Sequence, residues 1–150
     1  MATHEYSTRL AWAGSTGDGY RAYDRAHEVE LAGGTLAVSA DASFRGDGSL
    51  TNPEQLLLAA ASSCQLLSFL SVAALAKIDV LAYEDDATAL MPQTSGPMRI
   101  TEIVLRPRIT ARGADESTLA QLVETAHRQC FIANTLNATV RVEHSVEWAS

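Results

Sequence analysis

Hydrophobic and polar side chains alternate in two N-terminal segments, which is the pattern of strands with one buried face. In residues 5–12, one side of the predicted strand carries Tyr6, Thr8, Leu10 and Trp12. Residues 27–40 contain two more alternating runs that meet at Gly33 and Gly34. Glycines between alternating runs are typical of a hairpin. We therefore predict three strands before residue 41.

The next segment is apolar on every side. No side chain is charged for 22 residues from Gln55 onward. Asn52 is a favoured N-cap, Pro53 suits the first helical position, and Glu54 lies at the positive end of the helix dipole. We predict a helix from Asn52 to about residue 77. Serine and glutamine recur along it, so we interpret it as a core helix of a soluble domain rather than a membrane span.

A helix that is apolar around its whole circumference needs cover on every side. A single small sheet covers only one side of it. A second copy of the chain would cover the other, and we therefore predict a homodimer.

The rest of the chain predicts three strands and one more helix. Residues 78–90 and 98–110 read as strands separated by a turn-rich segment, and residues 139–148 alternate as a closing strand. Between them, residues 115–130 carry apolar side chains at helical spacing: Leu119, Leu122, Val123, Ala126 and Cys130. The predicted order is three strands, a long helix, two strands, a second helix and a closing strand. We interpret residues 1–150 as one α+β domain.

Composition and charge restrict the possible functions. The chain has 150 residues and a net charge of -7, and no run of lysine or arginine offers a surface for nucleic acid. The N-terminus has no apolar core of the kind found in signal peptides, so we expect a cytoplasmic protein. In that compartment its two cysteines are expected to remain thiols.

Cys64 and Cys130 are the main chemical signal. Each lies on the inward side of one predicted helix, so the two sulfurs could meet although 66 residues separate them. Such a pair suggests thiol–disulfide cycling, and the simpler alternative is two small buried side chains. His127 with both cysteines offers a weaker zinc alternative. No phosphate-binding glycine loop or serine-nucleophile motif is present, and no cofactor or metal is predicted.

Two motifs resemble those of a known family. "TNPEQLLLAAASSC", followed by "AHRQCFIANTL", is similar to the signature of the OsmC and organic hydroperoxide resistance family, which are small dithiol peroxidases. The resemblance implies antiparallel sheets around long central helices in an intertwined homodimer with active sites at the subunit interface. It implies reduction of organic hydroperoxides and recycling by a dithiol such as a lipoyl group. Cys64 matches the attacking cysteine, Cys130 the resolving cysteine and Glu54 the glutamate at the helix start.

The family's arginine is harder to place in this chain. One branch has it where this sequence has Ser43, and Arg45 is two residues away. Another branch has it near the second strand, where Arg21 and Arg25 occur. Arg25 is nearer to the strand, and we choose it as the catalytic arginine. A second departure is Phe131, because many members have proline after the resolving cysteine, and this puts substrate preference in doubt.

The chemistry explains why these residue types are needed. A peroxidatic cysteine reacts as the thiolate, which an arginine stabilises while its remaining donors hold the peroxide oxygens. Glu54 would fix that guanidinium. Ten residues separate Glu54 from Cys64, roughly 15 Å along a straight helix. Either the helix breaks at Ser62 and Ser63, or Glu54 serves the partner's site. A binding module for hydrophobic ligands, without peroxidase activity, is the alternative function.

Overall fold

The computed structural model describes residues 1–150. The chain divides into two compact units, Met1–Leu56 and Leu57–Ser150. The interpretation of residues 1–150 as a single domain therefore stays a prediction.

The first unit contains one antiparallel sheet of three strands, as predicted. The strands are β1 (Arg9–Ala11), β2 (His27–Leu31) and β3 (Gly34–Val38), with β2 in the middle. Leu31 pairs with Gly34, so the hairpin turn consists of Ala32 and Gly33, one residue earlier than predicted. Gly34 has a φ of 135°, which a residue with a side chain rarely adopts. β1 is shorter than the alternating pattern of residues 5–12.

A tight loop joins β3 to the long helix. It contains a 3-10 turn, Ala42–Phe44, that is capped by the Asp41 carboxylate accepting from the backbone N–H of Ser43. Gly46 follows, and a Cβ at that position would lie 1.7 Å from the Ala40 carbonyl oxygen. Only glycine fits this close approach, so the loop places the start of the helix in one defined position.

Helix α1 (Pro53–Leu75) begins as the sequence predicts. The Asn52 side-chain oxygen accepts from the Gln55 N–H at 2.8 Å, and the Gln55 side chain accepts from the Asn52 N–H at 3.1 Å. This reciprocal pair is a capping box. The helix ends two residues before Lys77, whose φ of 60° is left-handed and cannot continue it.

The predicted alternative of a break in α1 is wrong, because the helix is continuous through Ser62 and Ser63. A serine can compete with the helix backbone for hydrogen bonds. The Ser62 hydroxyl instead donates to the Asp85 carboxylate at 2.5 Å. Glu54 and Cys64 therefore lie on one unbroken helix.

Two three-stranded sheets form the strand layer of the second unit. Their strands are β4 (Asp79–Asp85), β5 (Thr88–Leu90), β6 (Glu102–Leu105), β7 (Pro107–Arg112), β8 (Thr139–Val142) and β9 (Ser145–Trp148). One sheet has the order β4-β7-β9 and the other β5-β6-β8. The β6-β8 and β7-β9 pairs are parallel, so these sheets are mixed rather than antiparallel. The helix between β7 and β8 supplies the crossover that parallel pairing requires.

Each of the three strands predicted for this half of the chain is split in two. The first is interrupted after Asp85, the second at Arg106 and the third at Glu143 and His144. The Asp85 carboxylate accepts from the Arg106 backbone N–H at 2.6 Å, so the first two breaks lie side by side. At these breaks the chain leaves one sheet and enters the other.

The second predicted helix, α2 (Glu116–Gln129), is observed with Asp115 as its N-cap. A short helix that the sequence did not predict, α3 (Phe131–Thr135), follows directly after it. Cys130 separates the two with an extended backbone conformation. The buried side of α2 packs into a core cluster with residues of α1, β7 and the segment before β4: Phe69, Val72, Ala73, Ile78, Ile109, Ala111, Leu119, Val123 and Ala126.

Candidate active site

The two cysteines meet in the second unit. Cys64 is half-buried on α1, Cys130 is buried between α2 and α3, and both are free thiols. The two thiols are close enough for Cys64 to contribute to the raised pKa of Cys130. The two cysteines are thus neighbours in the fold, and their pairing in a thiol–disulfide cycle stays a prediction.

Cys130 is held as a neutral thiol. Burial raises its pKa to about 11, and the neighbouring Cys64 adds to that rise. The Ala133 N–H donates to Sγ at 3.5 Å and opposes the rise, because Cys130 is the N-cap of α3. The sequence placed Cys130 only at the end of α2, and the structure shows that it also begins a helix.

This raised pKa predicts a loss of stability in alkali. The unfolded state releases the Cys130 proton near pH 9.0 and the folded state only near pH 11. Between these pH values the folded state binds more protons than the unfolded state, so the free energy of unfolding falls as the pH rises. The total decrease is on the order of 2 kcal/mol.

Melting curves from pH 8 to pH 11 should show this decline, and Cys130→Ser should reduce it. Burial also raises the pKa of Tyr83, so ionisation of this tyrosine lowers the free energy of unfolding above pH 10 as well. Cys130→Ser should leave that second contribution unchanged. A decline of equal size in both proteins between pH 9 and pH 10 would contradict the expectation.

A cavity of about 490 Å³ opens beside Cys64. Its other walls are Leu67, Ser68, Ser71, Gln129, Phe131 and Asn134. None of these side chains is charged. The cavity therefore suits a neutral molecule that is apolar in part.

Arg25 lies in the first unit, where two hydrogen bonds and a cation–π contact fix its guanidinium. Nη1 donates to the Tyr23 carbonyl at 2.9 Å and Nη2 donates to the Tyr20 carbonyl at 2.8 Å. The guanidinium carbon lies 3.8 Å from the centre of the Tyr23 ring, a cation–π contact. Arg21 and Arg45 are exposed and have no such contacts. Arg25 is the only one of the three arginines with a fixed position.

A second cavity, of about 560 Å³, lies within the first unit beside Arg25. Four aromatic side chains line it: Trp12, Tyr20, Tyr23 and Phe44. His27 also faces it, and Nδ1 of His27 is 2.9 Å from the Arg25 carbonyl oxygen. Because a carbonyl only accepts, Nδ1 carries the hydrogen and Nε2 of a neutral His27 is an acceptor.

Glu54 is half-buried in the first turn of α1. No salt bridge joins it to Arg25 within one chain; the salt bridges of the chain all involve Arg106, Arg108, Arg112, Arg128 and Arg141. The Arg25–Glu54 contact expected from the sequence therefore stays a prediction, to be tested in the dimer.

The zinc alternative has no ligand set in this chain. No three His, Cys, Asp or Glu side chains are arranged to hold a metal ion. His127, which the sequence offered as a zinc ligand together with the two cysteines, has a buried Nδ1 without a hydrogen-bond partner.

Two residues of this region were missed by the sequence reasoning. Asp85 bonds both Ser62 and the Arg106 backbone, and Tyr83 has a buried hydroxyl with no partner. Asp85 and Asp86 lie inside a segment that the sequence predicts as one strand, so no local signal identified the role of Asp85 at the sheet switch. Nothing in the sequence distinguished Tyr83 from an ordinary core tyrosine.

Comparison with known proteins identifies the family. The family model described as "OsmC-like protein" matches residues 46–145, two thirds of the chain. The chain belongs to the OsmC-like family. An OsmC-like protein of unknown function from Vibrio cholerae has 30% identity and a TM-score of 0.85, with 95% of this chain and 100% of that chain covered.

Two further OsmC-like comparisons are informative. An organic hydroperoxide resistance protein from Legionella pneumophila has 25% identity and a TM-score of 0.68, covering 95% of this chain and 97% of the other. The uncharacterized protein YmaD of Bacillus subtilis is 21% identical over 95% of this chain and 93% of its own.

Helix α1 has the length and apolar composition to cross a membrane, which the core helix of a soluble protein can also have. Its buried residues Phe69, Val72 and Ala73 belong to the core cluster of the second unit.

Proposed function

We propose that this OsmC-like protein is a thiol peroxidase that reduces organic hydroperoxides in the cytoplasm. One observation carries the proposal: a half-buried Cys64 at the wall of a cavity, next to a buried Cys130 that is kept protonated. The Cys64 thiol is accessible to a substrate, whereas burial shields the Cys130 thiol from it. Two incidental core cysteines would not require this difference in access.

The proposed reaction has three steps. The Cys64 thiolate attacks the terminal, hydrogen-bearing oxygen of the hydroperoxide, so an S–O bond forms, the O–O bond breaks, and the leaving alkoxide takes a proton and departs as an alcohol. Cys64 is then a sulfenic acid, which Cys130 condenses to a disulfide with loss of water. A dithiol reductant, of the lipoyl type, exchanges with this disulfide and restores both thiols.

The walls of the Cys64 cavity support an organic substrate. Leu67 and Phe131 contribute apolar surface that hydrogen peroxide would not use. The name of the Legionella pneumophila relative, an organic hydroperoxide resistance protein, points to the same substrate class.

Arg25 and Glu54 have supporting roles in this proposal. The guanidinium of Arg25 stabilises the Cys64 thiolate and holds the peroxide oxygens. Its fixed position, set by Tyr20 and Tyr23, favours it over the other two arginines. Glu54 orients the guanidinium in the dimer, and because α1 does not break, we assign it to the partner's site.

We expect the protein to be an intertwined homodimer. The outer side of α1 leaves Leu67, Leu70 and Leu75 exposed by 64%, 38% and 82%, and Phe131 of α3 is exposed by 79%. Such an apolar patch is typical of a surface that another chain covers. Light scattering at micromolar concentration should give about twice the chain mass of 16.0 kDa.

A charge on that patch tests the same expectation. Leu67→Glu should dissociate the dimer, whereas Leu31→Glu, at the tip of the β2-β3 hairpin, is the matched control and should not. A wild-type protein that is monodisperse at the monomer mass would defeat the expectation.

A direct assay tests the function. The wild-type protein is mixed with cumene hydroperoxide and a dithiol reductant, and hydroperoxide consumption is followed. We expect catalytic turnover, faster with cumene hydroperoxide than with hydrogen peroxide. Metal content is measured on the same sample, and turnover that depended on bound metal would contradict a thiol mechanism.

A binding module for hydrophobic ligands is the second candidate function. The aromatic cavity of the first unit favours it, because four rings line that space. Saturable binding of an apolar fluorescent probe, together with no hydroperoxide consumption, would establish this function in place of the first.

A further inference from the structure

The cavity beside Cys64 has one polar side chain that is fixed by a hydrogen bond within the chain. Four uncharged polar side chains line this cavity: Ser68, Ser71, Gln129 and Asn134. Of these, only Asn134 forms a side-chain hydrogen bond within the chain. Its Nδ2 donates to the Arg128 carbonyl oxygen at 3.1 Å.

Asn134 is tied to the chain on both sides of Cys130. Its backbone N–H donates to the Cys130 carbonyl oxygen at 3.0 Å, in the first turn of α3. Arg128 lies in the last turn of α2, where the carbonyl groups lack a helical N–H partner and can accept from a side chain instead. Asn134 therefore bridges the end of α2 and the start of α3, and its amide has a defined orientation.

The fixed amide keeps one acceptor unused. A side-chain amide offers two N–H donors and one oxygen acceptor. Because the Arg128 carbonyl only accepts, the amide atom that contacts it is the nitrogen, and Oδ1 of Asn134 forms no hydrogen bond within the chain. The side chain is exposed as well as lining the cavity. A molecule in the cavity can therefore reach an oriented acceptor that carries no charge.

An organic hydroperoxide needs an acceptor of this kind. Its terminal oxygen carries a hydrogen, and this oxygen is the one that Cys64 attacks in the proposed function. Arginine has five N–H donors and no acceptor, so Arg25 can serve the peroxide oxygens but not this hydrogen. The Cys64 sulfur approaches in line with the O–O bond, where the new S–O bond forms. The acceptor for the O–H must therefore be another group of the cavity.

We propose that Asn134 is a further catalytic residue, whose Oδ1 accepts a hydrogen bond from the hydroperoxide O–H and so holds the terminal oxygen toward Cys64. This inference rests on the proposed peroxidase function and adds a residue to its first step. The apolar walls of the same cavity, Leu67 and Phe131, receive the organic group.

Asn134 neither gains nor loses a proton in this step. The Cys64 thiolate attacks the terminal oxygen, the O–O bond breaks, and the sulfur gives up two electrons to the peroxide. The hydrogen that Asn134 binds stays on the transferred oxygen and becomes the hydrogen of the sulfenic acid. The leaving alkoxide takes its proton from water.

Two rates measured on one thiol test the proposal. In a Cys130→Ser background Cys64 is the only thiol, and serine is itself a favoured N-cap for α3. Oxidation by cumene hydroperoxide is followed by stopped flow, and alkylation by iodoacetamide, which has no O–H, is followed by mass spectrometry. Adding Asn134→Leu should slow the oxidation about fivefold, the effect of one ordinary hydrogen bond. The alkylation should keep the rate of the background protein.

Thr135→Val is the matched control in the same short helix. The Thr135 hydroxyl donates to the Phe131 carbonyl oxygen at 2.7 Å, so this variant also removes a side-chain hydrogen bond from α3. Thr135 does not line the cavity. Both rates should therefore stay at their background values in the Thr135→Val protein, and the melting temperatures of the two variants show what each lost bond costs in stability.

Slower oxidation with unchanged alkylation in Asn134→Leu alone supports the proposal. Equal slowing of oxidation and alkylation would mean that Asn134 acts on Cys64 and not on the substrate, and would overturn it. An unchanged oxidation rate in Asn134→Leu, or the same loss in Thr135→Val, would also overturn it and leave the peroxidase function intact. A background protein that is alkylated but does not react with cumene hydroperoxide would instead overturn the peroxidase function, and this inference with it.

Discussion

Cys64→Ser should abolish hydroperoxide turnover entirely. Cys64 is half-buried and lines the cavity, whereas Cys130 is buried and stays protonated near neutral pH because its pKa is raised to about 11. The thiol that remains in this variant is therefore inaccessible to the peroxide, and it is protonated rather than in the thiolate form that attacks. Steady-state consumption of cumene hydroperoxide under a dithiol reductant measures the loss.

Cys130→Ser should fail at a different stage. This variant should consume one equivalent of peroxide, accumulate a sulfenic acid at Cys64, and then stop or over-oxidise. Mass spectrometry after one equivalent of peroxide distinguishes the two variants by the site and number of added oxygens. If Cys64→Ser acquired oxygen on Cys130 at the wild-type rate, the roles of the two cysteines would be reversed.

Local signals made the helices predictable. The Asn52 cap, Pro53 and Glu54 identify the start of α1 from nearest neighbours alone, and the apolar spacing of residues 115–130 identifies α2. The hairpin at Gly33 depends on residues that are close in sequence as well. Each of these elements is specified by contacts within a few residues.

The sheet switch was not predictable in the same way. Residues 78–90 and 98–110 each read as one continuous strand. Only the hydrogen bond from the Arg106 backbone N–H to the Asp85 carboxylate shows that both strands leave their sheet at the same place. The parallel pairing of β8 with β6 and of β9 with β7 likewise depends on where the chain returns to the sheets after α2. These features come from contacts between residues far apart in sequence.

In the candidate site, too, features set by local sequence were predictable and features set by long-range contacts were not. The helical positions of Cys64 and Cys130 suggested that the sulfurs meet, because each lies on the inward side of its helix. The unpartnered hydroxyl of Tyr83 carried no such signal, since a tyrosine in an alternating strand is ordinary. The choice among the arginines also depended on tertiary contacts, and the stacking of Arg25 on Tyr23 now gives a physical reason for it.

Arg25→Met should slow peroxide reduction by at least about tenfold, since it removes both the charge that stabilises a thiolate and the donors that hold the peroxide. Methionine keeps much of the apolar length of the side chain but none of its contacts to the carbonyls of Tyr20 and Tyr23. Stopped-flow rates with cumene hydroperoxide measure the first step before any resolving chemistry. Circular dichroism should confirm that the fold is retained.

Arg21→Met and Arg45→Met are the matched controls for that measurement. Both arginines are exposed and have no fixed position, so both variants should react at the wild-type rate. A loss at one of them, with Arg25→Met unaffected, would move the arginine role to that position. Equal rates in all three variants would remove arginine from the mechanism, and the activation of Cys64 would then have to come from another group, supplied within the chain or by the partner subunit.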